Sequence, residues 1–286
     1  MTDPTIDRGV PGPGIDAPLF VDHLEGGLDA SLRELASRPT ILVALDFDGV
    51  LAPLVDDPST SRVTPAAVDA VAQLAPLPGV EVALISGRDA TTLVRLAEVP
   101  AGVRVVGSHG AEPGRTTTAP NGEPAFDGEP LALSQAQSES YAEVLRTVTA
   151  LVADHPGARV ETKPAAVVVH TRGTPAEEAE EIHRAVLAGP ATIPGLRVQR
   201  GKDVVELAVL HVSKGDAVTD LRADTVSDAV LFIGDDLTDE DAFAVLGPDD
   251  LGIKVGDGET EADYRITDPD AVAAVLLRLV ELRTGR

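Results

Sequence analysis

The stretch Ile41–Leu51, ILVALDFDGVL, sets five apolar residues directly before two carboxylates, Asp46 and Asp48, and a glycine, Gly49. Rich in β-branched side chains and without alternation, the run reads as a central strand of a parallel sheet, buried on both faces. In open α/β sheets the ligand crevice lies beyond the carboxyl ends of the strands, which is where both acids fall. Acids so close together repel, so something positive must stand between or beside them. A hard cation with oxygen ligands, Mg²⁺, answers that need economically.

The rest of the chain bounds what this strand can belong to. At 286 residues it is long for one compact core, and length favours about two domains. Hydrophobic residues make up 43%, yet the aromatics are only five Phe and two Tyr, so the core must be aliphatic. There is no cysteine, which excludes disulfides, thiolate nucleophiles and Cys-based metal sites. A net charge of −24 argues against a nucleic-acid partner. No apolar run is long enough to span a membrane, and Thr2, Asp3 and Pro4 do not open a secretory signal. A cytoplasmic monomer acting on a small molecule is expected. The only lysines, Lys163, Lys202, Lys214 and Lys254, stand against nineteen arginines. Such scarcity suggests positions that need a compact ammonium, for instance as a point charge on phosphate.

Residues 1–17, rich in Pro and Gly, read as a mobile tail. Leucine spacing predicts a helix over 20–36, followed by the Asp46 strand. Thr64 and Pro65 open a helix to Leu74, strand Val80–Ile85 leads into Ser86-Gly87-Arg88 and a helix from Asp89, and strand Val103–Val106 ends at Gly107-Ser108-His109-Gly110. This alternation is that of a doubly wound, mostly parallel α/β sheet. A hairpin plus linker is expected over 111–130. Helix 138–153, strands 158–162 and 166–171, helix 175–187 and strands 196–200 and 203–207 then form an α+β unit. The first rhythm returns with a helix from Ser213 or Lys214, strand Ala229–Ile233, helix 238–246, strands 251–255 and 264–266, and a closing helix 269–282. The expected organisation is a core of residues 18–125 and 209–286 split by a cap inserted at 126–208.

Four segments fall at strand ends or helix starts: Asp46-Phe47-Asp48, Ser86-Gly87-Arg88, Lys214, and Gly234-Asp235-Asp236-Leu237-Thr238-Asp239-Glu240. Each alone passes for ordinary structure, a common turn or an acid-rich helix start. An EF-hand is excluded because glycine is fourth rather than sixth and a strand precedes the loop. On parallel strands all four converge on one sheet edge.

This ordered set resembles the haloacid dehalogenase superfamily of phosphotransferases. The resemblance implies Asp46 as nucleophile, Asp48 as general acid and base, Ser86 and Lys214 on phosphoryl oxygens, and Mg²⁺ held by the Asp46 carboxylate, the Asp48 carbonyl and Asp235, with Asp236 and Asp239 as further candidates. Val50 stands where the superfamily motif commonly has Thr. More finely, GDDLTDEDAF at 234–243, SGRD at 86–89, GSHG at 107–110, ETKPAAVVVHTR at 161–172 and GKDVVEL at 201–207 are similar to the trehalose-6-phosphate phosphatase family. That likeness implies a sugar-phosphate substrate bound by Arg88 and gripped in the cap by Glu161, Lys163, Lys202 and Glu206. His109 is expected to shape its loop. The function so implied is Mg²⁺-dependent hydrolysis of trehalose 6-phosphate through an aspartyl-phosphate. The alternatives are a capped phosphatase for another sugar phosphate, or an inactive sugar-phosphate-binding regulator.

Overall fold

Strand β1, Ile41–Leu45, is buried along its whole length, as an unbroken apolar run requires. It sits in a computed structural model that describes residues 27–129, 131–201 and 203–285. The expected tail, the first turns of the helix expected from Phe20, and Lys202 lie outside the described residues.

β1 is flanked in parallel by β2, Val80–Ile85, and β10, Ala229–Gly234. β3, Arg104–Gly107, follows β2, and β11, Leu251–Val255, with β12, Tyr264–Ile266, follows β10, all in parallel. The sheet order is β12-β11-β10-β1-β2-β3-β4-β5, its last two strands antiparallel. Those are β4, Glu112–Thr118, and β5, Pro124–Gly128. The hairpin expected over 111–130 is therefore two more strands of the core sheet, and β5 runs across the boundary expected at 125/126. Its ladder, ending with Gly128 opposite Gly114, holds it to the sheet edge.

Alternate residues of β1 feed two cores. Ile41, Val43 and Leu45 pack with helices α1, Leu28–Ser37, α2, Pro65–Leu74, α3, Ala90–Ala97, and, late in the chain, Pro269–Thr284. Leu42 and Ala44 face a second layer with Ala217, Val218 and Leu221 from the helix Lys214–Thr225 and with Phe243. The aromatic scarcity is met with aliphatic layers, each fully buried Leu or Ile contributing roughly 1.5–3 kcal/mol. α2 begins as its sequence dictates, with Thr64 accepting the Ala67 N–H and Pro65 in the first position.

A second sheet, β6-β7-β9-β8, is antiparallel throughout and belongs to a separate cap. Its strands are β6, Arg159–Lys163, β7, Ala166–His170, β8, Arg197–Arg200, and β9, Val204–Ala208. Val167, Val169, Val205 and Leu207 turn one face onto helices α4, Gln135–Val152, and α5, Ala176–Ala188, meeting Val144, Val148, Ile182 and Val186. The period-2 rule then puts Glu161, Lys163 and Glu206 on the other face. The ladder confirms their row, with Glu161 and Glu206 both opposite Val168. Helices α6, Lys214–Thr225, α7, Glu240–Phe243, and α8, Pro269–Thr284, complete the core. The single helix expected over 238–246 is shorter: a 3-10 turn at Leu237–Asp239 precedes α7, because Asp236 and Asp239 cap the turn with their side chains.

Candidate active site

Asp46 ends β1, its N–H donating to the Ile233 carbonyl of β10, so its carboxylate emerges between the two strands at their C-terminal ends. The chain then turns tightly, with Leu51 and Ala52 both donating to the Phe47 carbonyl. Gly49 has φ of +77°, and any Cβ there would collide with the Asp235 carboxylate. Glycine thus serves both the turn and the close approach of two acids. Val50 is fully buried in the aliphatic core beneath this turn.

Lys214 opens α6 behind the N-cap Ser213, and its side chain is 2% exposed. Its ammonium lies 2.9 Å from Asp46 Oδ1, 2.7 Å from Asp239 Oδ1 and 3.9 Å from Asp236 Oδ1. Burial alone would lower its pKa, but Asp46, then Asp239 and Asp236, outweigh burial and raise it, so it stays charged. Asp239 is fully buried. Its Oδ2 accepts the N–H groups of Asp235 and Asp236 at 2.9 Å each, which folds the acidic loop around one side chain.

Negative charge exceeds what this one ammonium offsets. Burial pushes Asp46 well above the usual carboxylate range; Lys214 opposes, while Asp239, Asp236 and Asp235 push further. Asp235 is pushed up to about 7, by burial first and then by Asp236 and Asp239. Asp236 goes the other way, to about 2, because Lys214 and the bonds from Thr238 and Asp239 outweigh its burial. One carboxylate oxygen each from Asp46, Asp235 and Asp239 fall within 4.8 Å of one another. An all-oxygen donor set with uncompensated negative charge fits a hard divalent cation. Asp46 and Asp235 belong to the expected metal set. Asp239, expected only as a further candidate, completes the cluster and is bonded to Lys214 besides.

Asp48 points elsewhere. Its two oxygens accept from Arg88 Nε and Nη2 at 2.7 Å each, and Ser61 Oγ donates at 3.1 Å. Arg88 also reaches the Pro58 carbonyl and lies over the Phe47 ring at 5.3 Å. Ser86 is buried at the end of β2, its N–H on Val106 and its hydroxyl accepting the Arg88 N–H. A water-accessible cleft of about 460 Å³ is lined by Asp46, Asp48, Ser86, Arg88 and Lys214 from the core and by Glu161 and Lys163 from the cap. Glu206 lines the adjoining cavity and pairs with Lys163 at 2.7 Å. Glu161 accepts from His170 at 2.7 Å, and that bond chiefly holds its carboxyl below the ordinary range. His109, expected only to shape its loop, lines both cavities and stands 3.9 Å from Glu206 across the cap and core. The positive φ of Ser108 and His109 was foreshadowed only by their flanking glycines.

Residues 44–270 match the family model described as trehalose-phosphatase. The chain belongs to that family, within the haloacid dehalogenase superfamily. Family members of similar sequence include the trehalose-phosphate phosphatase of Mycobacterium marinum, 35% identical over 84% of this chain and 62% of that protein. A probable trehalose-phosphate phosphatase of Oryza sativa subsp. japonica is 30% identical over 86% of this chain and 69% of its own length. Among solved structures of the family, Aspergillus fumigatus trehalose-6-phosphate phosphatase superposes with a TM-score of 0.65 at 25% identity, covering 88% of this chain and 97% of that one. The chain spans about three fifths of the length of the mycobacterial relatives it matches. Among the described residues no helix is long and apolar enough to cross a membrane.

Proposed function

We propose that the chain is a Mg²⁺-dependent phosphatase that hydrolyses trehalose 6-phosphate to trehalose and phosphate through an aspartyl-phosphate on Asp46. The observation that carries this reading is the buried contact of Asp46 with Lys214, at the floor of a cleft whose other wall is the charged face of the cap. Asp46 attacks phosphorus in line, forming an O–P bond as the bond from phosphorus to the sugar oxygen breaks. The leaving alkoxide takes a proton from Asp48 in its carboxylic acid form. Asp48, now the carboxylate that Arg88 holds in one orientation, then removes a proton from water, whose oxygen bonds to phosphorus as the bond to Asp46 breaks. Both acids return to their starting states, and water has been added across the ester. Ser86 and Lys214 hold phosphoryl oxygens throughout. When bound through Asp46, Asp235 and the Asp48 carbonyl, with Asp239 beside them, Mg²⁺ supplies positive charge that offsets the phosphoryl oxygens and the clustered carboxylates.

The core offers contacts to the phosphoryl group, so sugar selection falls to the cap insertion that follows β5. Glu161, Lys163 and Glu206, together with Lys202, suit vicinal hydroxyls, which donate to carboxylate and accept from ammonium. The membership of the chain in a family of this activity and the presence of every acid-base group support turnover over an inactive regulator. A phosphate-release panel tests the reading. Trehalose 6-phosphate is expected to be hydrolysed far faster than glucose 6-phosphate or sucrose 6-phosphate, and EDTA to stop the reaction. Equal rates on glucose 6-phosphate would contradict the disaccharide assignment, and binding without release would contradict the enzyme.

A further inference from the structure

Three of the four lysines fall in the motifs that the family likeness assigns to the site, and the fourth, Lys254, has no assigned role. It lies in β11 opposite Gly234, the residue that ends β10 just before Asp235. Its neighbours Ile253 and Val255 are core residues, and its own side chain is 4% exposed. Burying an ammonium is costly unless oxygens compensate it. Here Nζ donates to the main-chain carbonyls of Asp235 at 2.6 Å and Asp236 at 3.2 Å. Glu240 Oε1, buried and without a hydrogen bond among the described residues, lies 3.6 Å from the same ammonium. The peptides of Asp235 and Asp236 are therefore pinned from both ends. Asp239 takes their N–H groups and Lys254 their carbonyls, while Lys214 holds the side chains of Asp236 and Asp239.

We propose that Lys254 is a positioning residue for the divalent cation: by fixing the main chain of Asp235 and Asp236 it aims the Asp235 carboxylate into the cluster with Asp46, and so sets the affinity for Mg²⁺. The inference rests on the functional reading above, which supplies the cation. Lys254 lines neither the phosphoryl cleft nor the cavity under the cap, so its effect passes through the loop alone.

Calorimetric titration of the full chain with Mg²⁺, without substrate, reads this directly. Lys254→Met is expected to weaken Mg²⁺ binding about tenfold or more, the usual effect of losing a group that orients a ligand. At saturating Mg²⁺ its KM for trehalose 6-phosphate should stay within about twofold of the parent, because uniform substrate binding is untouched. Should Lys254→Met fail to fold, Lys254→Gln, which retains a shorter neutral donor, carries the same expectation. Glu240→Gln disturbs the same buried pair but leaves both carbonyl bonds, and should leave Mg²⁺ affinity within about twofold. A folded Lys254 variant with parental Mg²⁺ affinity, or a Glu240→Gln variant equally weakened, overturns the proposal. A parent protein that binds no Mg²⁺ overturns the functional reading itself, and this inference with it.

Discussion

Arg88 clamps Asp48 through two parallel bonds of 2.7 Å, leaving the carboxylate one orientation at the mouth of the cleft. Bidentate pairs of this kind add geometric specificity to charge. A residue expected only to bind substrate thus also orients the proposed general base. Arg88→Lys, which keeps the charge and loses the fork, should lower kcat about 10–100-fold, the rough cost of bonds to a charged group worth 1.5–3 kcal/mol. Steady-state kinetics separates the roles: an increase in KM alone, with kcat intact, would leave Arg88 as a substrate ligand and nothing more.

Lys214 compensates two buried carboxylates at once, Asp46 and Asp239. Lys214→Met should abolish turnover and also destabilise the fold by about 3–5 kcal/mol, the cost of stranding buried charge. Adding Asp239→Asn should recover part of that stability without recovering activity. Urea unfolding of the two variants checks the order.

Asp235 gives a pH signature in the metal-free protein. Its folded pKa, about 7, lies above the ordinary 3.8, so the stability it contributes is complete below the unfolded value and is lost as pH rises toward 7. In EDTA, Asp235→Asn should therefore gain stability relative to the parent as pH rises from about 4 to 7, and hold that gain above it. Added Mg²⁺ should reverse the order by stabilising only the parent. Melting temperatures across that range in the two buffers report it; a difference independent of pH would contradict the assignment.

Glu206 and Lys163 pair at 2.7 Å on the cap face. Glu206→Gln should raise KM for trehalose 6-phosphate on the order of tenfold, while p-nitrophenyl phosphate, which carries no sugar, is hydrolysed within about twofold of the parental rate. Equal losses on both substrates would place Glu206 in the chemistry rather than in recognition.

Local signals made the elements around the site legible. Helix Pro65–Leu74 and strands Val80–Ile85, Leu251–Val255 and Tyr264–Ile266 lie where Thr-Pro capping and apolar runs place them. Asp46, Ser86 and Lys214 converge because parallel strands share one C-terminal edge, which needs topology alone. Pairings remote in sequence were not legible. Asp48 meets Arg88 forty residues away and Lys214 meets Asp239 across twenty-five, contacts that no periodicity encodes. The β4–β5 hairpin was readable as a hairpin, but its docking on β3 depends on an open sheet edge that appears only in the folded chain. Lys254 could be seen only as a lone cation between Ile253 and Val255, and its acceptors are main-chain carbonyls, which carry no side-chain signature.

The covalent role of Asp46 is tested most directly by acid-quenching the protein during turnover of trehalose 6-phosphate labelled in its phosphoryl group. The account predicts a label bound to the chain, stable in acid, released by hydroxylamine, located by digestion at residue 46 and absent from Asp46→Asn. A burst of phosphate with no protein-bound label, or turnover retained by Asp46→Asn, would contradict it.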